Sequence, residues 1–266
     1  MNPTTTTRPR RLISLSTATR RPGLHAIIAA LAVGCGSQGL ETHGPSEGSA
    51  ANAPHPSHAS HAPHDHAHGH HPGGGHHVFD DPERWTQVFD DPARDAWQRP
   101  DEVLRAMDLE PSMAVADVGA GTGYFALRLA RVLPRGEVIA IDLEPEMLRF
   151  LAERAQREGL TNLRTLQGNA VASGLDANSV DRILIVNVWH HLADRVAYAR
   201  DLAAALKPGG RLFIVDFQLS AQRGPPAQMR LAPEAIIAEL ERAGLSASLS
   251  PVVLPDQYIV VGHRRP

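Results

Sequence analysis

From residue 113 onward the chain alternates apolar runs with mixed, helix-patterned stretches. Met113–Ala116, Glu137–Asp142, Leu163–Gln167, Asp181–Val188 and Arg211–Phe217 read as strands. Asp181–Val188 is strongly apolar, which predicts a strand buried on both faces. Between the strands lie amphipathic stretches such as Tyr124–Ala130, and Glu144–Leu148 with Pro145 suited to a first helical turn. A further helix, Asp101 to Asp108, leads into the first strand. Strand and helix in regular alternation predict an α/β fold with a parallel sheet. Lys207-Pro208-Gly209-Gly210 is a turn signal just before the fifth strand.

The densest chemical signal is Asp117-Val118-Gly119-Ala120-Gly121-Thr122-Gly123, between the first strand and the first helix of the sheet. A glycine turn there lets backbone N–H groups approach a nucleotide-like ligand. A dinucleotide fingerprint needs a small residue at position 124, where this chain has Tyr124. Asp142 ends the second strand, where a carboxylate can accept two hydrogen bonds from a ribose diol. Gly168-Asn169-Ala170 follows the third strand, and Lys207-Pro208-Gly209-Gly210 precedes the fifth.

In order and spacing these motifs resemble the class I S-adenosylmethionine-dependent methyltransferases, from about Asp101 to His263. Within that family the chain looks most similar to the ubiquinone/menaquinone-methylase-like group, which acts on small molecules. The resemblance implies a doubly wound, Rossmann-like sheet of seven strands. Its last two strands, near Ala247–Leu254 and Gln257–His263, would close the sheet as an antiparallel pair. It implies S-adenosylmethionine as cofactor, with Asp117, Gly119, Ala120, Gly121, Gly123, Asp142, Leu143, Asn169, Ala170 and Asn187 as cofactor-binding residues. The methionine part would lie over the glycine loop and the ribose on Asp142. One residue departs from the family pattern: an acid that bonds the adenine amino group is here Asn169, whose amide oxygen can accept and whose NH2 can donate. Asn169 is also an ordinary turn residue.

Composition narrows the partners. The chain has 266 residues, with 26 Lys+Arg against 29 Asp+Glu. Charges are interspersed and form no basic stripe, so a nucleic-acid partner is not expected.

The first third is a different kind of sequence. Arg8, Arg10, Arg11, Arg20 and Arg21 precede a short apolar run, Leu24–Val33, too short to span a bilayer. Leu31-Ala32-Val33-Gly34-Cys35 follows, and Cys35 is the sole cysteine. Residues 1–34 thus read as a signal peptide, and the Leu31–Cys35 segment resembles a bacterial lipobox. A lipidated Cys35 would anchor the protein in the cell envelope; the alternative is a cytoplasmic protein. Residues 35–77 are rich in Gly, Pro and His, including His55, His58, His61, His64, His66, His68, His70, His71, His76 and His77. Such a tract cannot offset its ordering entropy by burial, so a disordered tether is expected; its histidine spacing resembles tracts that bind divalent metal loosely, the alternative being a plain tether whose histidines bind metal only adventitiously. No metal site is expected in the catalytic domain, 101–266.

Residues 78–100 form a near-repeat. Val78-Phe79-Asp80-Asp81-Pro82 returns as Val88-Phe89-Asp90-Asp91-Pro92, each Asp-Pro predicting a capped helix start. Phe89 and Trp97 are candidates for an aromatic lid over the pocket, or simply for surface packing.

The acceptor should sit beyond the fourth strand, at Asn187-Val188-Trp189-His190-His191. Trp189 could wall a pocket there. His191 is the first candidate for a proton acceptor and His190 the second; the alternative is a structural pair with one imidazole hydrogen-bonded to backbone. Two functions stand: methyl transfer to an O, N or C nucleophile of a small molecule, or an envelope metal-binding lipoprotein whose methyltransferase-like domain only binds a ligand.

Overall fold

The computed structural model describes residues 82–265. The leader, Cys35, the histidine tract and residues 78–81 lie outside that range. Three helices open the described chain: α1 (Pro82–Phe89), α2 (Arg94–Gln98) and α3 (Pro100–Ala106). Then come β1 (Ala114–Val118), α4 (Ala126–Val132), β2 (Glu137–Asp142), α5 (Pro145–Arg157), β3 (Leu163–Gln167) and β4 (Val180–Val186). A 3-10 turn (Trp189–His191) leads to α6 (Arg195–Ala205), β5 (Leu206–Phe217), α7 (Pro233–Arg242), β6 (Ser246–Leu249) and β7 (Gln257–His263).

The seven strands form one sheet in the order β3-β2-β1-β4-β5-β7-β6. Neighbours among β1 to β5 pair in parallel, and β7 runs antiparallel to both β5 and β6. This is the expected doubly wound α/β sheet, closing antiparallel pair included. β6 is shorter than expected, because the chain leaves the sheet after Leu249 and re-enters at Gln257.

Strand periodicity explains the two-faced core. Val115, Val138, Ala140, Leu184, Val186, Phe213 and Val215 point to one face, where Leu127, Leu129, Leu151 and Met107 cover them. The alternate residues Ala116, Val118, Ile139, Ile141, Ile183, Ile185, Leu212 and Ile214 point to the other, against Tyr198, Leu202, Ile236 and Leu240. Both faces of β4 are buried along its apolar stretch Ile183–Val186.

Two boundaries differ from expectation. Lys207–Gly210 does turn, with Gly209 at φ +77°, yet it lies inside β5. Val180 pairs with Leu206 and Arg182 with Arg211, so the extra residues bulge out of a continuous strand. The second Asp-Pro does not cap a helix at Pro92. Asp91 Oδ1 accepts from the Ala93 N–H at 2.8 Å, which closes a local turn, and α2 begins only at Arg94.

Candidate active site

The glycine loop and the acid after β2 form one unit. Asp142 Oδ2 accepts the Gly121 N–H at 2.8 Å, and Oδ1 accepts the Glu144 N–H at 3.1 Å. Gly119 and Ala120 donate to the Ile141 carbonyl, so the loop is stitched along the end of β2. Gly119, Gly121 and Gly123 all have positive φ. At Gly119 a Cβ would stand 2.3 Å from Val188 Cγ2, and at Gly123 it would stand 2.2 Å from Leu151 Cδ1. Glycine is required at both positions by backbone conformation and by space.

Asp117 is 3 % exposed, and its Oδ2 has no hydrogen-bond partner among the described residues. Burial, reinforced by the nearby Asp142 carboxylate, pushes the Asp117 carboxyl up to about 7, with the Arg94 guanidinium opposing. Burial also raises Asp142, against backbone N–H groups that favour its charged form. A buried carboxylate oxygen lacking a donor, beside Gly119 and Gly123 where no side chain fits, suits a cationic, N–H-bearing ligand. Asp117, the Gly119–Gly123 loop and Asp142 therefore fit S-adenosylmethionine, whose sulfonium and ammonium are cationic and whose ribose needs acceptors.

Other expected cofactor residues fall at the same edge of the sheet. Leu143 is an exposed large apolar residue after β2, and Val171, beside Ala170, is another after β3. Asn169 Oδ1 already accepts the N–H groups of Val171 and Ala172, each at 2.9 Å. With its oxygen engaged in this turn, only its NH2 remains to meet a base. Asn187 ends β4 at φ +60°, and its Oδ1 accepts from Gln257 Nε2.

The N-terminal helices close over the loop. A Cβ on Gly121 would lie 3.6 Å from the Phe89 ring, and Trp85 stacks on Phe89 at 5.2 Å. Asp90 accepts from Thr122 Oγ1 at 3.2 Å and pairs with Arg154. Tyr124 donates to Asp95, and the Arg94 and Arg128 guanidiniums lie 3.8 and 4.0 Å from its ring centroid. Burial pulls Arg94 down to about 10, still charged near neutral pH. Trp97, the other lid candidate, stacks on Phe217 at 5.8 Å. Tyr124 thus occupies the position after the glycines as the anchor of this cover.

At the acceptor side, Trp189 does not wall a pocket. It is fully buried, and its Nε1 donates to Glu239 Oε2 at 2.8 Å while Arg195 Nε holds Oε1 at 2.8 Å. His190 turns the other way. Its Nδ1 lies 2.9 and 3.0 Å from the two carboxylate oxygens of Asp216. The two side chains are 2 % and 1 % exposed. The rings of His190 and His191 lie 4.2 Å apart, and His191 is exposed. Asp216, Gln257, Gln98 and Arg94 carried no sequence signal for this site. Each joins it through a partner far away in the chain, as when buried Gln98 donates to Gln257 Oε1.

Residues 115–210 match the family described as Methyltransferase domain. An uncharacterized methyltransferase of Mycobacterium tuberculosis is 40% identical over 121 residues, covering 44% of this chain and 46% of that protein. A ubiquinone/menaquinone biosynthesis C-methyltransferase of Pasteurella multocida is 34% identical over 105 residues, 39% of each chain. The chain thus spans about half or less of these curated relatives. A solved S-adenosylmethionine-dependent methyltransferase from Aquifex aeolicus superposes with a TM-score of 0.63 at 28% identity, over 69% of this chain and 98% of that one. Residues 115–210 are a methyltransferase domain, and the residues gathered at its sheet edge fit S-adenosylmethionine, on which that Aquifex enzyme depends. Among the described residues no group of three or more His, Cys, Asp or Glu is placed to hold a metal, and no helix is long and apolar enough to cross a membrane.

Proposed function

We propose that the whole protein transfers the methyl group of S-adenosylmethionine to a nucleophilic O, N or C of a small molecule. The observation that carries this reading is the joined unit of Asp142, Gly121 and the partnerless Asp117 Oδ2. The cofactor supplies an electrophilic methyl on a cationic sulfur. Asp142 and the glycine loop hold it, Phe89 and Arg94 cover it, and Asp117 offers it a negative charge screened from water. Methyl transfer asks little more of the protein than in-line placement and exclusion of water. His190, backed by Asp216, replaces His191 as the first choice of proton acceptor. Calorimetry of the full-length protein with S-adenosylmethionine tests the reading, followed by counting label passed from methyl-labelled cofactor to metabolite extracts. Tight cofactor binding without turnover on any extract would favour the ligand-binding alternative.

The location of the protein is a separate proposal. We infer from the basic leader, the short apolar run and Cys35 that the chain is a lipid-anchored envelope protein, its histidine tract binding divalent metal. Cys35→Ala should release it from the membrane fraction or leave the precursor uncleaved. Deleting 53–77 should remove most metal binding and leave cofactor affinity unchanged. Full-length, unmodified protein in the cytoplasm would overturn the anchoring proposal.

A further inference from the structure

The buried pair at the ends of β4 and β5 has no part in holding the fold's apolar layers, and its arrangement is directional. Trp189 is fastened into the core by Glu239, which fixes the 3-10 turn and sends the next side chain toward β5. There His190 Nδ1 meets both oxygens of Asp216. Asp216 Oδ1 also accepts the Phe217 N–H at 2.8 Å, so the carboxylate is itself oriented by its own strand. Among the described residues, no Lys or Arg side chain forms an ion pair with Asp216. A carboxylate 1 % exposed and held, among the described residues, by an imidazole and a backbone N–H is a costly way to fill space.

We propose that Asp216 is a positioning residue that keeps His190 in the tautomer with its proton on Nδ1, so that Nε2 presents a lone pair to the acceptor. This rests on the methyl-transfer reading and specifies its proton step. A carboxylate only accepts, so Nδ1 must donate, and the other ring nitrogen is left bare. The acceptor is then one whose nucleophile arrives carrying a proton. Its O–H or N–H bond breaks, the proton passes to His190 Nε2, and the electron pair stays on the nucleophile to form the bond to the methyl carbon, while the methyl–sulfur bond breaks and its pair returns to the cofactor's sulfur, which leaves as a neutral thioether. The imidazolium so formed is neutralised by Asp216 and later returns its proton to water. The pair lies at the carboxyl ends of β4 and β5, the edge of such sheets at which ligands bind. Asn187 and Gln257, hydrogen-bonded to each other, flank it at the same strand ends, and Gln257 pairs with Phe217, the residue after Asp216.

The test is long-range 1H–15N NMR of the full-length, histidine-labelled protein, with His190 among 15 histidines assigned by difference against His190→Gln. The spectrum should show His190 protonated on Nδ1 and bare on Nε2. Adding S-adenosylmethionine should shift the Nε2 resonance. In Asp216→Asn, where an amide can donate as well as accept, the single tautomer should be lost, and Asp216→Glu should restore it at least in part. A His190 protonated on Nε2, or an Nε2 resonance indifferent to bound cofactor, overturns the proposal and assigns the pair to structure alone; the wild-type spectrum decides this even if the variants fail to fold. Calorimetry on the same sample separates the two claims. Cofactor binding with a silent His190 sinks only this inference, whereas no cofactor binding sinks the function it rests on.

Discussion

Asp142 and Gly121 share a hydrogen bond of 2.8 Å, so the acid that should hold the ribose also sets the shape of the glycine loop. Removing the carboxylate takes away a ligand contact and a loop restraint together. A hydrogen bond to a charged group contributes roughly 1.5–3 kcal/mol. Asp142→Ala should therefore weaken S-adenosylmethionine by about tenfold or more in calorimetry. Unchanged affinity would remove Asp142 from the site.

Gly119 is closed to side chains by Val188. Gly119→Ala places a methyl 2.3 Å from Val188 Cγ2 at φ +75°, so both contact and backbone oppose it. Strain of this kind costs about 1–3 kcal/mol. The variant should unfold earlier in a denaturant titration and bind cofactor poorly. Adding Val188→Ala should recover part of the loss, because it relieves the contact but not the φ. A Gly119→Ala protein as stable as wild type would show that the loop is looser than described.

The charge state of Asp117 links pH to both stability and cofactor. Its folded value, about 7, lies above the ordinary carboxylate value of 3.8, so the folded state keeps a proton that the unfolded chain has released. Without cofactor this group's contribution to stability should fall as pH rises from about 4 to 7. Cofactor affinity should move the opposite way and rise as Asp117 ionises. Asp117→Asn should flatten that part of the melting-temperature profile and weaken the cofactor at pH 8. An unchanged melting profile in Asp117→Asn would contradict the assignment.

Trp189 serves the fold. Trp189→Phe leaves Glu239 Oε2 without its indole donor, though Arg195 still holds Oε1. The expected cost is about 1–3 kcal/mol of stability, with S-adenosylmethionine affinity within twofold of wild type. A large loss of affinity at unchanged stability would return Trp189 to the pocket.

Local patterns carried the reading of the sheet and half of the site. The run Asp117–Gly123 and the acid at Asp142 could be read from a few adjacent residues, because glycine turns and strand ends leave short-range marks. The rest depends on partners distant in the chain. Nothing near Asp216 announces a histidine, and nothing near Gln98 announces Gln257. Trp189 and His190 were open to misreading for another reason. Adjacent residues on a 3-10 turn point in different directions, so a motif that names both cannot say which one faces the site. Lys207–Gly210 shows the converse: its turn chemistry is real, but pairing on both sides absorbs it as a bulge. Asn169 could be seen as a polar residue in the right loop, but not that its oxygen was already engaged.

Because β7 runs against β5, the last strand starts where the parallel strands finish, and Gln257 arrives beside Asn187. Gln98, from ahead of the first strand, reaches the same point. The ligand edge is thus tied together by residues from before the first strand and from the last strand of the sheet. A nascent chain cannot complete it until its final strand has emerged, and a fragment cut before residue 257 should lack it even with every glycine-loop residue in place. Cofactor retention would then report whether the domain had been finished.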